Sequence, residues 1–510
     1  SNLRCALPDL ANDTYASQGP WHDALVNASI PWDAGEGMYD QCKIRNMPGG
    51  LDNGTVSCES WVYERDPFKS TFVTDIDLVC SKTNLVTYAS MVLMLGMLVG
   101  SLFWGILSDI FGRRKIILVC TVGHLIACFS IPWVRSYIPY VILRFLISFF
   151  GAGMILSAFV MGMELVGPNW RRFAGNAVNI FWSTGLFIEA ALAYGVRDWD
   201  TLQIIITIPT IGFLVICAVF VPESARWLLQ KGQFDEVSKI LQKVAKQNGV
   251  TRSDKIKRLE NVDKEKEGQS IWYIFRSTTL IIRCLVIIFN WMVASMVYYG
   301  LSLNTGALSG NIYVNFVLMA SAELASFVFS LLVMDMTGRK KLQCSSMILG
   351  GVACIATMFP VMYGGDDWLT LTLSLVGKFG CTVGFAVIYV YTAELFPTVV
   401  RNSVIGVCSV CARIGGILAP FIGDLSRIGG KLEVALPLVI FGGLSVLAGV
   451  LVLFLPETSQ QTLPETMEDA KRFGRSPLFV AKRPKDTSIG NDTSVCFDKE
   501  KSEALLHRTV

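Results

Sequence analysis

The 510-residue sequence predicts an all-α polytopic membrane protein of two six-helix repeats, with eleven spans present and the first helix missing from the chain. Three observations predict it. Only 17% of residues are charged and 52% are hydrophobic, with mean hydropathy +0.49, where a soluble chain of this length carries about 25% charged residues. The charge is also segregated. Residues 83–108, 201–222, 342–365 and 434–456 hold no Asp, Glu, Lys or Arg, and each exceeds the roughly 20 residues a helix needs to cross about 30 Å of hydrocarbon. Finally, the polar clusters between the apolar runs recur in the same order in the two halves, which is the mark of a repeat architecture.

In chain order, residues 1–84 come first, with 12 acidic and 6 basic side chains, a net −6. They hold three glycosylation sequons, at Asn12, Asn27 and Asn53, and the cysteines Cys5, Cys42, Cys58 and Cys80. Sequons beside cysteines suit an oxidising exterior and a disulfide-tied ectodomain, with all three pairings open. Five spans follow within 85–221, near 85–107, 116–134, 139–163, 173–195 and 201–221. A linker at 222–279 has 12 basic and 8 acidic residues interleaved, the pattern of solvated cytosolic helices and not of a nucleic-acid surface. Six spans occupy 280–455, near 280–303, 311–334, 342–363, 368–393, 402–423 and 433–455, and 456–510 form a tail.

Orientation follows from the short loops. Arg113, Arg114, Lys115, Arg171, Arg172, Arg339, Lys340, Lys341 and Arg401 fall on one side, against Arg135, Arg197, Arg427 and Lys431 on the other. The first side is read as cytosolic, together with the linker and the C-terminus, which leaves the sequon at Asn491 unmodified. Residues 1–84 are then extracellular on a plasma-membrane protein. Nothing within the sequence would carry them across, so a preceding helix is expected.

The repeat is detailed. Asp109-x-x-Gly112-Arg113-Arg114-Lys115 matches Asp335-x-x-Gly338-Arg339-Lys340-Lys341; Glu164 precedes Arg171 by seven residues, as Glu394 precedes Arg401; Pro222-Glu223 and Pro456-Glu457 close the halves. Two matched halves joined by a charged linker are expected of a parallel-repeat transporter. Glycine permits the tight reversal between two helices, while the charges can pair with the next helix or the other half. Asp109, Gly112, Arg113, Glu164, Arg171, Arg172, Glu223 and Arg226, with Asp335, Arg339, Glu394, Arg401 and Glu457, are therefore read as a cytosolic gate.

These residues carry a resemblance. Gly105-Ile-Leu-Ser-Asp-Ile-Phe-Gly-Arg-Arg-Lys115, Pro222-Glu-Ser-Ala-Arg-Trp-Leu-Leu229, Thr392-Ala-Glu-Leu-Phe-Pro-Thr-Val-Val-Arg-Asn402 and Leu455-Pro-Glu-Thr458 resemble the organic cation, anion and carnitine transporter family of the major facilitator superfamily. The resemblance spans essentially the whole chain, and that family carries a large cysteine-bearing glycosylated loop after a first helix. Ala225 departs from it, standing where proline is usual. The resemblance implies the major facilitator fold and alternating access without covalent chemistry.

Ionisable residues within spans are costly and mark substrate routes. They are Arg144, Glu189, Glu323, Lys378 and Arg413. Arg144 and Lys378 lie in corresponding helices, near their external ends by this reading, and are expected to be structural. Arg413 is at mid-depth, where its planar donors suit a carboxylate unless Glu189 or Glu323 pairs with it. The family implies arginine here in anion and carnitine carriers, and an acidic residue at position 323 in cation and carnitine carriers. Glu323 and Glu189 can each neutralise an ammonium group. Trp182 and the tyrosines Tyr298, Tyr299, Tyr389 and Tyr391, in stretches that resemble the carnitine branch, offer faces to a quaternary ammonium.

Together these residues describe a secondary transporter of small organic ions, zwitterionic or cationic amines foremost. The alternatives are an organic anion exchanger using Arg413 and Lys378, and a channel or transporter-derived receptor. The partners implied are that substrate and the lipid bilayer. No cofactor or metal is called for, coupling to Na⁺ or H⁺ has no identifying spacing, and no Ser/His/Asp or metal-ligand cluster suggests an enzyme.

Overall fold

The computed structural model describes residues 2–459 except 9, 11, 34–37, 46–53, 167, 248–276, 304–309, 364–365 and 426–430, and in the tail 461, 464 and 470. Asn53, most of the linker and the sequon at Asn491 lie outside the described residues.

Among the described residues, the segment before the spans, expected to be the ectodomain, holds three two-stranded antiparallel ladders: β1 (Leu3–Cys5) with β6 (Trp61–Tyr63), β2 (Trp32–Asp33) with β3 (Met38–Tyr39), and β4 (Lys43–Arg45) with β5 (Thr55–Ser57). Helix α1 (Pro20–Ser29) packs over them, and the short α2 (Phe72–Asp75) leads towards the membrane-spanning part. Of the three pairings left open by the sequence, Cys5–Cys58 and Cys42–Cys80 form. Beside the small apolar core of Cys5, Leu7, Val26 and Ile30, the side chains of Arg4 and His22 both meet Asp13, at 2.5 and 2.9 Å. Burial works against the Asp13 charge, but its bonds from Arg4, His22 and Leu7 outweigh that and hold the carboxyl below its usual range. Asn12 and Asn27 are exposed.

Among the described residues, eleven helices are long and apolar enough to cross a membrane. In the N-terminal half they are α3 (Asn84–Phe111), α4 (Arg113–Ser130), α5 (Tyr137–Leu165), α6 (Pro168–Gly195) and α7 (Trp199–Val219). Two linker helices follow, α8 (Ala225–Gln230) and α9 (Phe234–Gln247). The C-terminal half contains α10 (Thr278–Leu303), α11 (Ile312–Thr337), α12 (Arg339–Tyr363), α13 (Asp367–Leu395), α14 (Thr398–Asp424) and α15 (Lys431–Val452). Such runs become helices because hydrocarbon offers no partner to a free N–H or C=O, so each segment must bond to itself. Several helices run past the apolar window at the basic end, because charged turns such as Ser-Asp-Ile-Phe111 keep helical bonding after the hydrocarbon stops.

The halves match helix for helix, α3, α4, α5, α6 and α7 corresponding to α11, α12, α13, α14 and α15. Within the C-terminal half, α10 packs against α13, α14 and α15. In the N-terminal half, an apolar hollow of about 440 Å³ lies among α5, α6 and α7, lined by residues such as Met154, Phe159, Val178, Pro209 and Phe213. The halves meet along two seams, α6 against α11 and α3 against α14.

Candidate functional site

Each half ends at its basic side in the same construction. Gly112 joins α3 to α4 at φ +107° and Gly338 joins α11 to α12 at φ +86°, conformations that L side chains resist. The turn leaves the first N–H groups of α4 and α12 free, and a carboxylate takes them. Glu223 Oε1 accepts from the N–H of Arg113 at 2.9 Å and of Arg114 at 3.1 Å; Glu457 Oε1 accepts from that of Arg339 at 2.8 Å. An anion at a helix N-terminus gains from both bonds and dipole.

The arginine at each turn is then ringed. Arg113 pairs with Asp109 at 2.8 Å and with Glu164 at 3.4 Å; Arg339 pairs with Asp335 at 3.2 Å and with Glu394 at 3.1 Å. These pairs close within one half, so the charges partner the next helices of their own bundle. Asp109 remains 74% exposed at its side chain, where an i,i+4 pair is worth only about 0.3–0.5 kcal/mol. Arg226 is exposed, and its neighbour Trp227 makes the motif's internal contact by donating Nε1–H to the Asp109 carbonyl at 2.9 Å. Arg401 donates Nε–H to the Phe396 carbonyl at 3.3 Å, while the side chains of Arg171 and Arg172 lie outside the described residues.

Deeper in the C-terminal half, the structure corrects the reading of two intramembrane charges. Lys378 is not near an external end: it lies eleven residues into α13, buried, with Nζ 3.2 Å from Glu323 Oε2 and donating to Ser302 Oγ at 2.6 Å. Glu323 is consequently no free carboxylate, since it also accepts from the Tyr298 hydroxyl at 2.9 Å. The Lys378 ammonium sits 3.5 Å from the Tyr298 ring centroid, so an internal cation already occupies one face of that tyrosine. Tyr391 is a further correction: fully buried, it donates to the Pro456 carbonyl at 2.7 Å and holds the start of the tail.

The other aromatics do assemble. Tyr298 and Tyr299 meet edge to face, Phe385 stacks on Tyr298, and Tyr389 stands edge-on to Phe385 and Trp291. Trp182 comes from the opposite half to the Tyr298 hydroxyl. On α6, Trp182, Glu189 and Ala193 stand at i, i+7 and i+11, within roughly 20° of one stripe at about 100° per residue. Trp182 and Ala193 both contact the C-terminal half, so the stripe, with Glu189 on it, faces the seam. Glu189 has no hydrogen-bond or ion-pair partner among the described residues. Arg413, on α14 near Tyr389, forms no ion pair among them either, and its buried Nε has no acceptor.

The family model described as "Sugar (and other) transporter" matches residues 47–470. The chain belongs to that family, within the major facilitator superfamily. It is 36% identical over 492 residues to a Drosophila melanogaster protein named organic cation transporter protein, covering 93% of this chain and 88% of that one. To the human organic cation/carnitine transporter 2 it is 32% identical over 498 residues, covering 92% and 86%. In fold it is similar to the xylose transporter XylE from E. coli in a partially occluded inward-open conformation, with TM-score 0.60, 16% identity, and 75% and 90% of the two chains covered.

This family member is thus a multi-pass membrane transporter and not an enzyme. Sequence reasoning missed the Lys378 to Glu323 pair, although both had been marked as intramembrane charges of opposite sign. It also missed Trp227, whose position inside the recognised Pro-Glu-Ser-x-Arg-Trp motif was the available signal.

Proposed function

We propose that this transporter carries small zwitterionic amines, of carnitine or betaine type, together with related cationic amines, by alternating access across the plasma membrane. Its basic end faces the cytosol and its ectodomain the exterior. One observation carries the reading: among the described residues, Glu323 and Lys378 neutralise each other, Arg144 lies over the Tyr140 ring near the ectodomain end of α5, and Arg413 and Glu189, nearer the seam between the halves, have no ionic partner. Unpaired charges in a membrane are costly, and a substrate bearing both an ammonium group and a carboxylate satisfies both. Arg413 offers fixed donors to the carboxylate. Glu189 and the faces of Tyr299, Tyr389 and Trp182 receive the ammonium, each face contributing about 0.5–2 kcal/mol. An anion exchanger is less well supported, because the Lys378 charge is already committed to Glu323.

Uptake by the full-length protein of a labelled zwitterion, a quaternary monocation and an organic monoanion, with counterflow, tests this. Saturable uptake and counterflow of the zwitterion, with the monocation second, is expected. Preferential exchange of the anion would overturn it.

A further inference from the structure

At the ectodomain end the two halves touch through contacts that the transport site does not use. Asn311 caps α11, its side-chain oxygen accepting from the N–H of Tyr313 at 2.9 Å, which fixes where the Tyr313 ring leaves the helix. The Tyr313 hydroxyl reaches the other half, 3.3 Å from the Ala193 carbonyl at the end of α6 and 3.5 Å from the Pro67 carbonyl of the ectodomain. Its ring stands edge-on between Tyr194 and Phe68. On the other seam, the Thr87 hydroxyl in the first turn of α3 donates to Asp424 at the end of α14.

The ectodomain segment under Tyr313 belongs to the N-terminal half. Lys69 N–H donates to the Arg197 carbonyl at 3.1 Å, Ser70 bridges Asp198, and Asp66 pairs with Arg197 at 3.3 Å. Just beyond it, Phe72 stacks on Tyr140 and meets Trp199 edge-on, while Asp75 accepts from Trp199 Nε1 at 2.9 Å. Residues 66–75 therefore move with α5, α6 and α7, and Tyr313 is where the other half rests on them.

We propose that residues 66–70 form a strap by which the ectodomain latches the outer mouth shut, with Tyr313 as the latch residue and the Thr87 to Asp424 contact closing the second seam. The proposal rests on the alternating-access reading: opening outwards must lift Tyr313 off Ala193, Pro67 and Phe68. Tyr313 and Phe68 are positioning residues, setting how often the site faces out without touching substrate.

Met94 gives a reporter that leaves both latches intact. It is buried, two turns below Thr87 on α3, with its sulfur against Gly416 of α14. In full-length protein carrying Met94→Cys, labelling by an impermeant thiol reagent from outside, corrected for the parent's native cysteines and for surface protein, measures opening of the α3 to α14 seam. Tyr313→Phe, which keeps the ring and so the fold, and Phe68→Ala are each expected to speed labelling about threefold or more, the scale of losing one modest contact. Labelling unchanged in both would overturn the strap. The assay needs no substrate, so a wrong substrate assignment leaves it unaffected. No outside labelling in any variant, together with no counterflow, would instead overturn alternating access itself.

Discussion

Replacing Lys378 by glutamine is expected to cost about 3–5 kcal/mol, because it strands the Glu323 carboxylate in a site that excludes water. The side chains of Lys378 and Glu323 are only 3% and 2% exposed, so neither charge has solvent to fall back on. Surface-biotinylated Lys378→Gln protein should fall tenfold or more, which corresponds to at least ~1.4 kcal/mol. Glu323→Gln should do the same by stranding the ammonium, leaving it only the Ser302 hydroxyl and the Tyr298 face. The double variant Lys378→Gln/Glu323→Gln should recover much of the surface protein, since two neutral amides can bond where two charges did and no buried ion is left alone. Single variants that reach the surface like wild type, with a double variant no better than either, would show that the pair is not coupled. The prediction separates a structural pair from a substrate site: the double variant is expected to bind ammonium substrates through Glu189 still.

The second large effect is expected at the basic turns. Gly112→Ala places a methyl group on a residue at φ +107° and 2.5 Å from Glu223 Oε2, and Gly338→Ala does the same at φ +86° and 2.6 Å from Glu457 Oε2. With ψ at 152° and 161°, both turns sit in a backbone region essentially reserved for glycine, and the strain alone is roughly 1–3 kcal/mol. The larger consequence is that the carboxylate must leave the helix N-terminus it caps, freeing N–H groups and loosening the arginine beside it. Turnover per surface molecule should drop by an order of magnitude in either variant, about 1.4 kcal/mol or more. Glu223→Gln, which keeps an acceptor oxygen without the charge, should fall less. Normal turnover in both glycine variants would remove these turns from the transport cycle.

The fold was legible because hydrophobic span length and loop charge are local signals. All eleven spans appear near their expected positions, and the paired turns at Gly112 and Gly338 could be read from spacing alone. Partner choice was not local. Glu323 and Lys378 are 55 positions apart, and only the packing of α11 on α13 brings them together, so one was read as a binding group and the other as a structural cation near an external end, with no partner named. Tyr391 went wrong for a related reason: it is two residues from Tyr389 in a helix, hence roughly 200° around it, and the two cannot share a face. The stripe of Trp182, Glu189 and Ala193 was available from helical periodicity, but its orientation needed the contacts of Trp182 and Ala193 with the C-terminal half. The ectodomain triad of Arg4, Asp13 and His22 joins residues from a strand, a loop and a helix, and no spacing announces it.

In the proposed site, Arg413 reads the carboxylate of a zwitterion while Glu189 reads its ammonium group. The direct measurement is the ratio of zwitterion to quaternary monocation uptake in Arg413→Ala, per surface molecule and against wild type. A charge-assisted hydrogen bond is worth about 1.5–3 kcal/mol, so zwitterion uptake should fall roughly 10- to 100-fold while monocation uptake persists, and the ratio should collapse. If both substrates are lost equally, Arg413 is a structural residue and the zwitterion site proposed here is contradicted.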